Sequence, residues 1–173
     1  MTAAGAASGA PLGAWALFAG MIAAAGLPIY IHAPKAYVDA HGVGLAALGA
    51  VLFGLRLVDV VQDPLLGWVA ARTRARRGLA VALAGALMAA AMLGLFALTP
   101  PVAPLLWFAL ALGALFTAFS FLTICLYAEG VARAARMGPG GHLRLAGWRE
   151  AGALVGVSVA AMMPTLLAGL TER

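Results

Sequence analysis

Charge is scarce in this sequence. Only 10% of its 173 residues are Asp, Glu, Lys or Arg, while 64% are hydrophobic. Soluble domains average about 25% charged residues, so an ordinary water-soluble fold is excluded. Mean hydropathy is +1.01, and several apolar runs approach the roughly 20 residues that a bilayer-spanning helix needs. Cysteine is almost missing. Cys125 stands alone inside an apolar run; it cannot form an intrachain disulfide, and a single thiol is no metal site. It reads as a small buried apolar residue. No basic segment precedes the first apolar run, so residues 1–10 lack the n-region of a signal peptide. Residues 1–12 are expected to form a cytoplasmic tail, with the first helix serving as its own insertion signal. No phosphate loop, zinc pattern or nucleophile–base constellation occurs. A hydrolytic or redox enzyme therefore finds no support, and no cofactor is expected. The net charge of +5 could point to nucleic acid. The arginines, however, fall mainly in short segments between apolar runs, which makes membrane topology their explanation and lipid the surrounding partner.

What is present is a series of helix-length apolar stretches. The expected fold is an all-α polytopic membrane bundle over residues 13–170, with helices at 13–31, 44–71, 79–98, 105–127 and 143–170. Gly20, Gly26 and Pro28 interrupt the first, as in a locally kinked, packed membrane helix. Residues 32–41, with His32, Lys35, Asp39 and His41, read as a solvated polar loop without convincing metal-ligand spacing. The second helix would be roughly 42 Å long at 1.5 Å per residue. Its Pro64 deprives the Val60 carbonyl of a helical donor and should kink it. The third has small residues at Ala82, Gly85, Ala86 and Ala89 that would allow close packing. In the fourth, Thr117, Ser120 and Thr123 form a mildly polar stripe; such hydroxyls usually bond their own backbone. A second long loop is expected at 129–142. Arg72, Arg74, Arg76, Arg77, Arg133, Arg136 and Arg144 then fall on one side of the membrane, and Lys35 and Arg173 on the other. This places the N-terminus in the cytoplasm and the C-terminus outside.

The chemistry concentrates in the second helix. Arg56, Asp59 and Asp63 are spaced to share one helical face. Each ionisable group in hydrocarbon costs about 2.5–3.5 kcal/mol on insertion scales, so their retention points to use. Two carboxylates one turn apart can share a Na⁺ ion or exchange a proton, and their like charge raises one apparent pKa. Asp59 and Asp63 are thus candidates for cation coupling and for Na⁺ ligation. Arg56 is the candidate counter-ion of the empty site. The competing reading is a structural ion-pair lattice. Early in the fifth helix, Arg149 beside Glu150 either snorkels to the interface or turns its planar fork toward a sugar hydroxyl or carboxylate.

These residues resemble the glycoside–pentoside–hexuronide:cation symporter family, the melibiose-permease-like branch of the major facilitator superfamily. The resemblance rests on R-x-x-D-x-x-x-D-P-x-x-G-W, met by Arg56, Asp59, Asp63, Pro64, Gly67 and Trp68, with the basic segment that follows and Arg149 in order and spacing. It covers roughly residues 13–168. It implies a Na⁺-, Li⁺- or H⁺-coupled sugar symporter working by alternating access in a bacterial-type inner membrane. Asp59 and Asp63 would be its cation-site carboxylates and Arg149 a sugar-contacting residue. Ser120 takes the place of an aspartate in the fourth helix and is a candidate for substrate contact. Ala23 and Ile124 replace a further aspartate and a sugar-stacking tryptophan, so a galactoside site is largely absent. Ala71 stands where the superfamily has an acidic residue before the first loop arginine. Members of the family have twelve helices in two halves, so the chain is expected to be the N-terminal portion of such a transporter, partnered by a C-terminal half or a second subunit. Two alternatives remain: a half-transporter that dimerises, and a small assembly or regulatory membrane subunit that binds partner helices through the polar face of the second helix.

Overall fold

The computed structural model describes residues 12–171, and no strand occurs among them. The order is α1 (Leu12–Leu27), a π-helical turn (Pro28–His32), α2 (Ala33–His41), α3 (Leu45–Arg72), a 3-10 turn (Arg74–Arg76), α4 (Arg77–Phe96), α5 (Pro104–Arg136) and α6 (Gly141–Thr171). Among the described residues, four helical stretches are long and apolar enough to cross a membrane: Leu12–His41, Leu45–Arg72, Arg74–Phe96 and Pro104–Arg136. The fifth expected span falls on α6, one helix of 31 residues. The protein is all-α and membrane-spanning. The expected tail lies outside the described residues except for Leu12, which opens α1.

Two expected loops are helix instead. Residues 32–41 are not a solvated loop. Pro28 has no N–H to give the preceding turn, and the helix widens into a π turn there rather than stopping. Pro34 then sits at the start of α2, where a missing N–H costs nothing. Lys35 and Asp39 lie on one side of α2, bonded at 2.6 Å, while Ala33 and Tyr37 are buried on the other. Gly42 ends this helix with φ 62° and ψ 22°, a left-handed conformation suited to glycine. The second expected loop, 129–142, shrinks to residues 137–140. Alanines favour helix, and Glu129 lies within 3.7 Å of Arg133 and 3.6 Å of Arg136, so α5 continues to Arg136. Gly138 and Gly140 make the turn, at φ 75° and 80°.

Residues 25–127 form one compact unit. Its centre is α5, where Phe108, Leu112, Leu115 and Leu122 are fully buried at the helical spacing of a single face. Half of the most apolar window of α5 is buried, against 6% for α3. Helix α3 runs on through Pro64 and buries only Leu48 and Ala70 completely. Ala70 packs with Phe121 and Cys125, backed by Leu66, Val81 and Ala84. Cys125 is buried as expected. The Tyr37 ring meets Phe108 at a tilt of 58°, with centroids 4.9 Å apart. Trp107 donates its indole N–H to the Gly94 carbonyl at 2.8 Å, tying α5 to α4. The small residues of α4 do not make the close contact expected of them. Ala82, Ala86 and Ala89 are exposed and nothing lies within 4 Å of a side chain added at Gly85. The buried face of α4 is Met88, Ala91, Gly94 and Leu95.

Residues 12–24 and 128–171 form the other unit. There α1 and α6 meet backbone to backbone. A Cβ on Gly152 would strike the Ala16 carbonyl, and one on Gly156 the Gly20 carbonyl; a Cβ on Gly20 would lie 2.7 Å from the Gly152 oxygen. Small residues four apart on both helices permit this approach. Trp15 fills the neighbouring space, with its ring 3.0 Å from a Cβ on Gly130 and the Arg133 guanidinium 5.7 Å from its centre. Gly152→Leu should therefore force α1 and α6 apart, at a cost of about 1–3 kcal/mol for overpacking, whereas Gly85→Leu should be close to neutral. Thermal unfolding of the two variants in detergent checks this. Equal melting temperatures would remove the α1–α6 contact as a stabilising feature.

Candidate functional site

Arg56 and Gln62 of α3 are met by aromatic and hydroxyl side chains from two other elements of the same unit. Arg56 donates Nη1 to Asp59 Oδ2 at 3.0 Å, and its Nη2 donates to the Tyr30 hydroxyl. The guanidinium carbon lies 5.1 Å from the centre of the Tyr30 ring and 5.0 Å from that of Phe116, within cation–π range of both. The two rings are 5.8 Å apart. Tyr30 belongs to the π-helical turn, and Phe116 is nearly buried on α5. The widened turn at Pro28–His32 thus has a structural consequence: it sets the phenol that reaches the arginine. Turns of this kind recur at functional sites.

The two carboxylates differ. Asp59 is 14% exposed and paired with Arg56. Asp63, one turn on, is exposed and has no hydrogen bond or ion pair among the described residues. A carboxylate with no counter-charge in a spanning helix is costly unless water, a cation or a proton reaches it. No group of three or more His, Cys, Asp or Glu that could hold a metal occurs among the described residues. A cation on Asp59 or Asp63 would therefore need neutral oxygens or a further chain segment for its remaining ligands.

A second contact joins α3 to α5. The Thr117 hydroxyl lies 2.8 Å from the Gly113 carbonyl and 2.9 Å from Gln62 Oε1. The backbone bond is the ordinary one for a helical threonine; the Gln62 contact is new. Gln62 Nε2 and Thr123 Oγ1 are buried with no partner. Ser120 is half-buried on α5. Arg149 belongs to the other unit. There it bonds Glu150 Oε1 through Nε at 3.0 Å and Nη2 at 2.5 Å, with its side chain 27% exposed.

The structure thus brings Arg56 and Asp59 together and adds Tyr30, Phe116, Gln62 and Thr117 around them. Gln62 and Thr117 were visible as polar residues in apolar runs. Tyr30 and Phe116 carried no signal, because an aromatic residue in a membrane helix is unremarkable until its neighbour is known to be a guanidinium.

Fold and site together define a polytopic membrane protein with one spanning helix that carries an ion pair and a carboxylate unpaired among the described residues. A family model described as MFS/sugar transport protein matches residues 13–173, and the chain belongs to that family. It is a transporter-type protein. No curated protein and no solved structure matches it.

Removing Arg56 leaves Asp59 without its counter-charge, while removing Asp63 breaks no hydrogen bond or ion pair among the described residues. The half-exposed position of Arg56 limits the pair to about 1–2 kcal/mol, below a fully buried one. A double-mutant cycle with Arg56→Ala and Asp59→Ala should show coupling of that size, and Asp63→Ala should stay within about 0.5 kcal/mol of the parent. Unfolding in detergent measures both. Coupling near zero would make the Arg56–Asp59 contact incidental.

Proposed function

We propose that the chain is the N-terminal portion of a cation-coupled secondary transporter for sugars or a related small solute, working by alternating access with Na⁺ or H⁺ as the coupling ion. The observation that carries this reading is the asymmetry on α3: Asp59 is paired with Arg56, while Asp63 beside it is exposed and has no pairing among the described residues. Na⁺ prefers anionic oxygen ligands, and a proton needs a carboxylate to titrate. Asp63 supplies a negative charge, and Asp59 a second one whose balance with Arg56 can change. Binding a cation would lower the net charge of the cluster and so reduce the cost of moving it between two membrane faces.

In this reading Arg56 keeps the empty site near neutrality. Ser120 on α5 and Arg149 on α6 are the candidate solute contacts. Arg149 holds Glu150 here, so it would have to exchange that partner for a solute hydroxyl or carboxylate. Transport sites in pseudo-symmetric carriers lie at the interface of two repeats. The proposal therefore requires a second helical bundle, on the same polypeptide or on another copy, to close the cavity and complete the cation's ligands. The basic turn Arg72–Arg77 would face the cytoplasm, and the N-terminus with it, in a bacterial-type inner membrane.

The test is uptake of labelled sugars, screened in cells that carry the chain within its natural polypeptide. Asp63→Asn should reduce cation-stimulated uptake at least tenfold while the protein still inserts. Unchanged stimulation by Na⁺ or by an inward proton gradient in that variant would remove Asp63 from the coupling site.

A further inference from the structure

We propose that Tyr30 is a positioning residue that keeps one oxygen of Asp59 open by occupying half of the Arg56 guanidinium. This deepens the cation-coupling reading and rests on it for its purpose, although its geometry stands alone.

An arginine next to a carboxylate ordinarily has a stronger option than the one seen. Two parallel N–H groups can meet both carboxylate oxygens in a planar fork. Arg56 does not adopt it. Only Nη1 meets Asp59, on Oδ2 at 3.0 Å, and Nη2 is committed to the Tyr30 hydroxyl. The guanidinium is also held from two sides by the Tyr30 and Phe116 rings, at 5.1 and 5.0 Å. Rotation into the fork would give up the phenol bond and disturb both ring contacts. The second carboxylate oxygen, Oδ1, has no partner among the described residues. The chain contrasts this with Arg149, which turns two nitrogens onto one oxygen of Glu150.

The consequence is a balance. With the fork complete, Asp59 would be neutralised internally and a cation would have to displace a bidentate arginine. With one nitrogen diverted, Asp59 remains charge-balanced in an apolar helix yet presents an oxygen toward an incoming cation. The π-helical turn supplies the placement, since Tyr30 reaches α3 from Pro28–His32. The phenol hydroxyl is the group that matters: phenylalanine at this position would keep the ring and lose the diversion.

Dicyclohexylcarbodiimide, which modifies accessible carboxyl groups in membrane proteins, reads the openness of Asp59 directly. The purified full chain in detergent is treated without solute, and peptide mass spectrometry follows labelling at Asp59, with Asp63 as internal reference. Tyr30→Phe should slow Asp59 labelling at least threefold relative to Asp63, because the freed Nη2 completes the fork. Arg56→Gln should accelerate it, and adding Tyr30→Phe to Arg56→Gln should change nothing further. A merely structural role for Tyr30 would alter labelling of both aspartates and would persist without Arg56. Unchanged or faster Asp59 labelling in Tyr30→Phe, or an equal slowing in the Arg56→Gln background, overturns the proposal. The ratio is read with no coupling ion added, so it stands or falls apart from the transport reading, which the uptake assay judges.

Discussion

A charged group in a membrane-spanning helix must find compensation nearby, and in this protein the Arg56–Asp59 pair provides it. At 3.0 Å the pair makes it tolerable for α3 to carry an arginine and an aspartate through an apolar environment. The surrounding features follow from the need to hold it. Phe116 comes from α5, the helix with the most buried face in its unit, so one wall of the arginine's cage is rigid. Tyr30 comes from a turn that exists because Pro28 cannot donate a backbone bond. The pair therefore depends on one fixed surface and one locally distorted backbone.

Asp63 gains its meaning by contrast. It has the same chemistry, lies one turn away, and has no hydrogen bond or ion pair among the described residues. A fully paired lattice would have been a structural device, stable and inert. In the proposed reading, a small cation would complete the charge of the unbalanced carboxylate. The membership in the MFS/sugar transport family fits a role for that cation in moving a solute. In the proposed reading, Ala23 and Ser120, which stand where the resembled family carries aspartates, would leave the solute with fewer charged contacts than a galactoside site offers.

The helical membrane architecture was legible because long apolar runs can satisfy their backbone in a bilayer only as helices. Arg56, Asp59 and Asp63 stood out for the same reason, since polar groups are conspicuous where they are expensive. Residues 32–41 have the polarity of a loop, yet Ala33 and Tyr37, four apart, give α2 a buried stripe. Residues 129–136 carry the arginines of a loop, yet Glu129 stands at helical spacing from Arg133. The close approach of α1 and α6 was written as small residues at 16, 20, 152 and 156, but many small residues in membrane helices touch nothing, as Gly85 shows. Which stripe is used depends on the partner helix. The aromatic cage around Arg56 could not be read at all, because it joins residues 26 positions apart in the case of Tyr30.

The central claim is that the cluster on α3 couples movement of a cation to movement of a solute. The most direct measurement is accumulation of a labelled sugar, found by screening, in vesicles with imposed sodium or proton gradients, with and without an ionophore that dissipates them. The account predicts uphill accumulation that collapses when the coupling gradient is dissipated. Accumulation that persists without any cation gradient, or entry that only equilibrates whatever gradient is imposed, would contradict it.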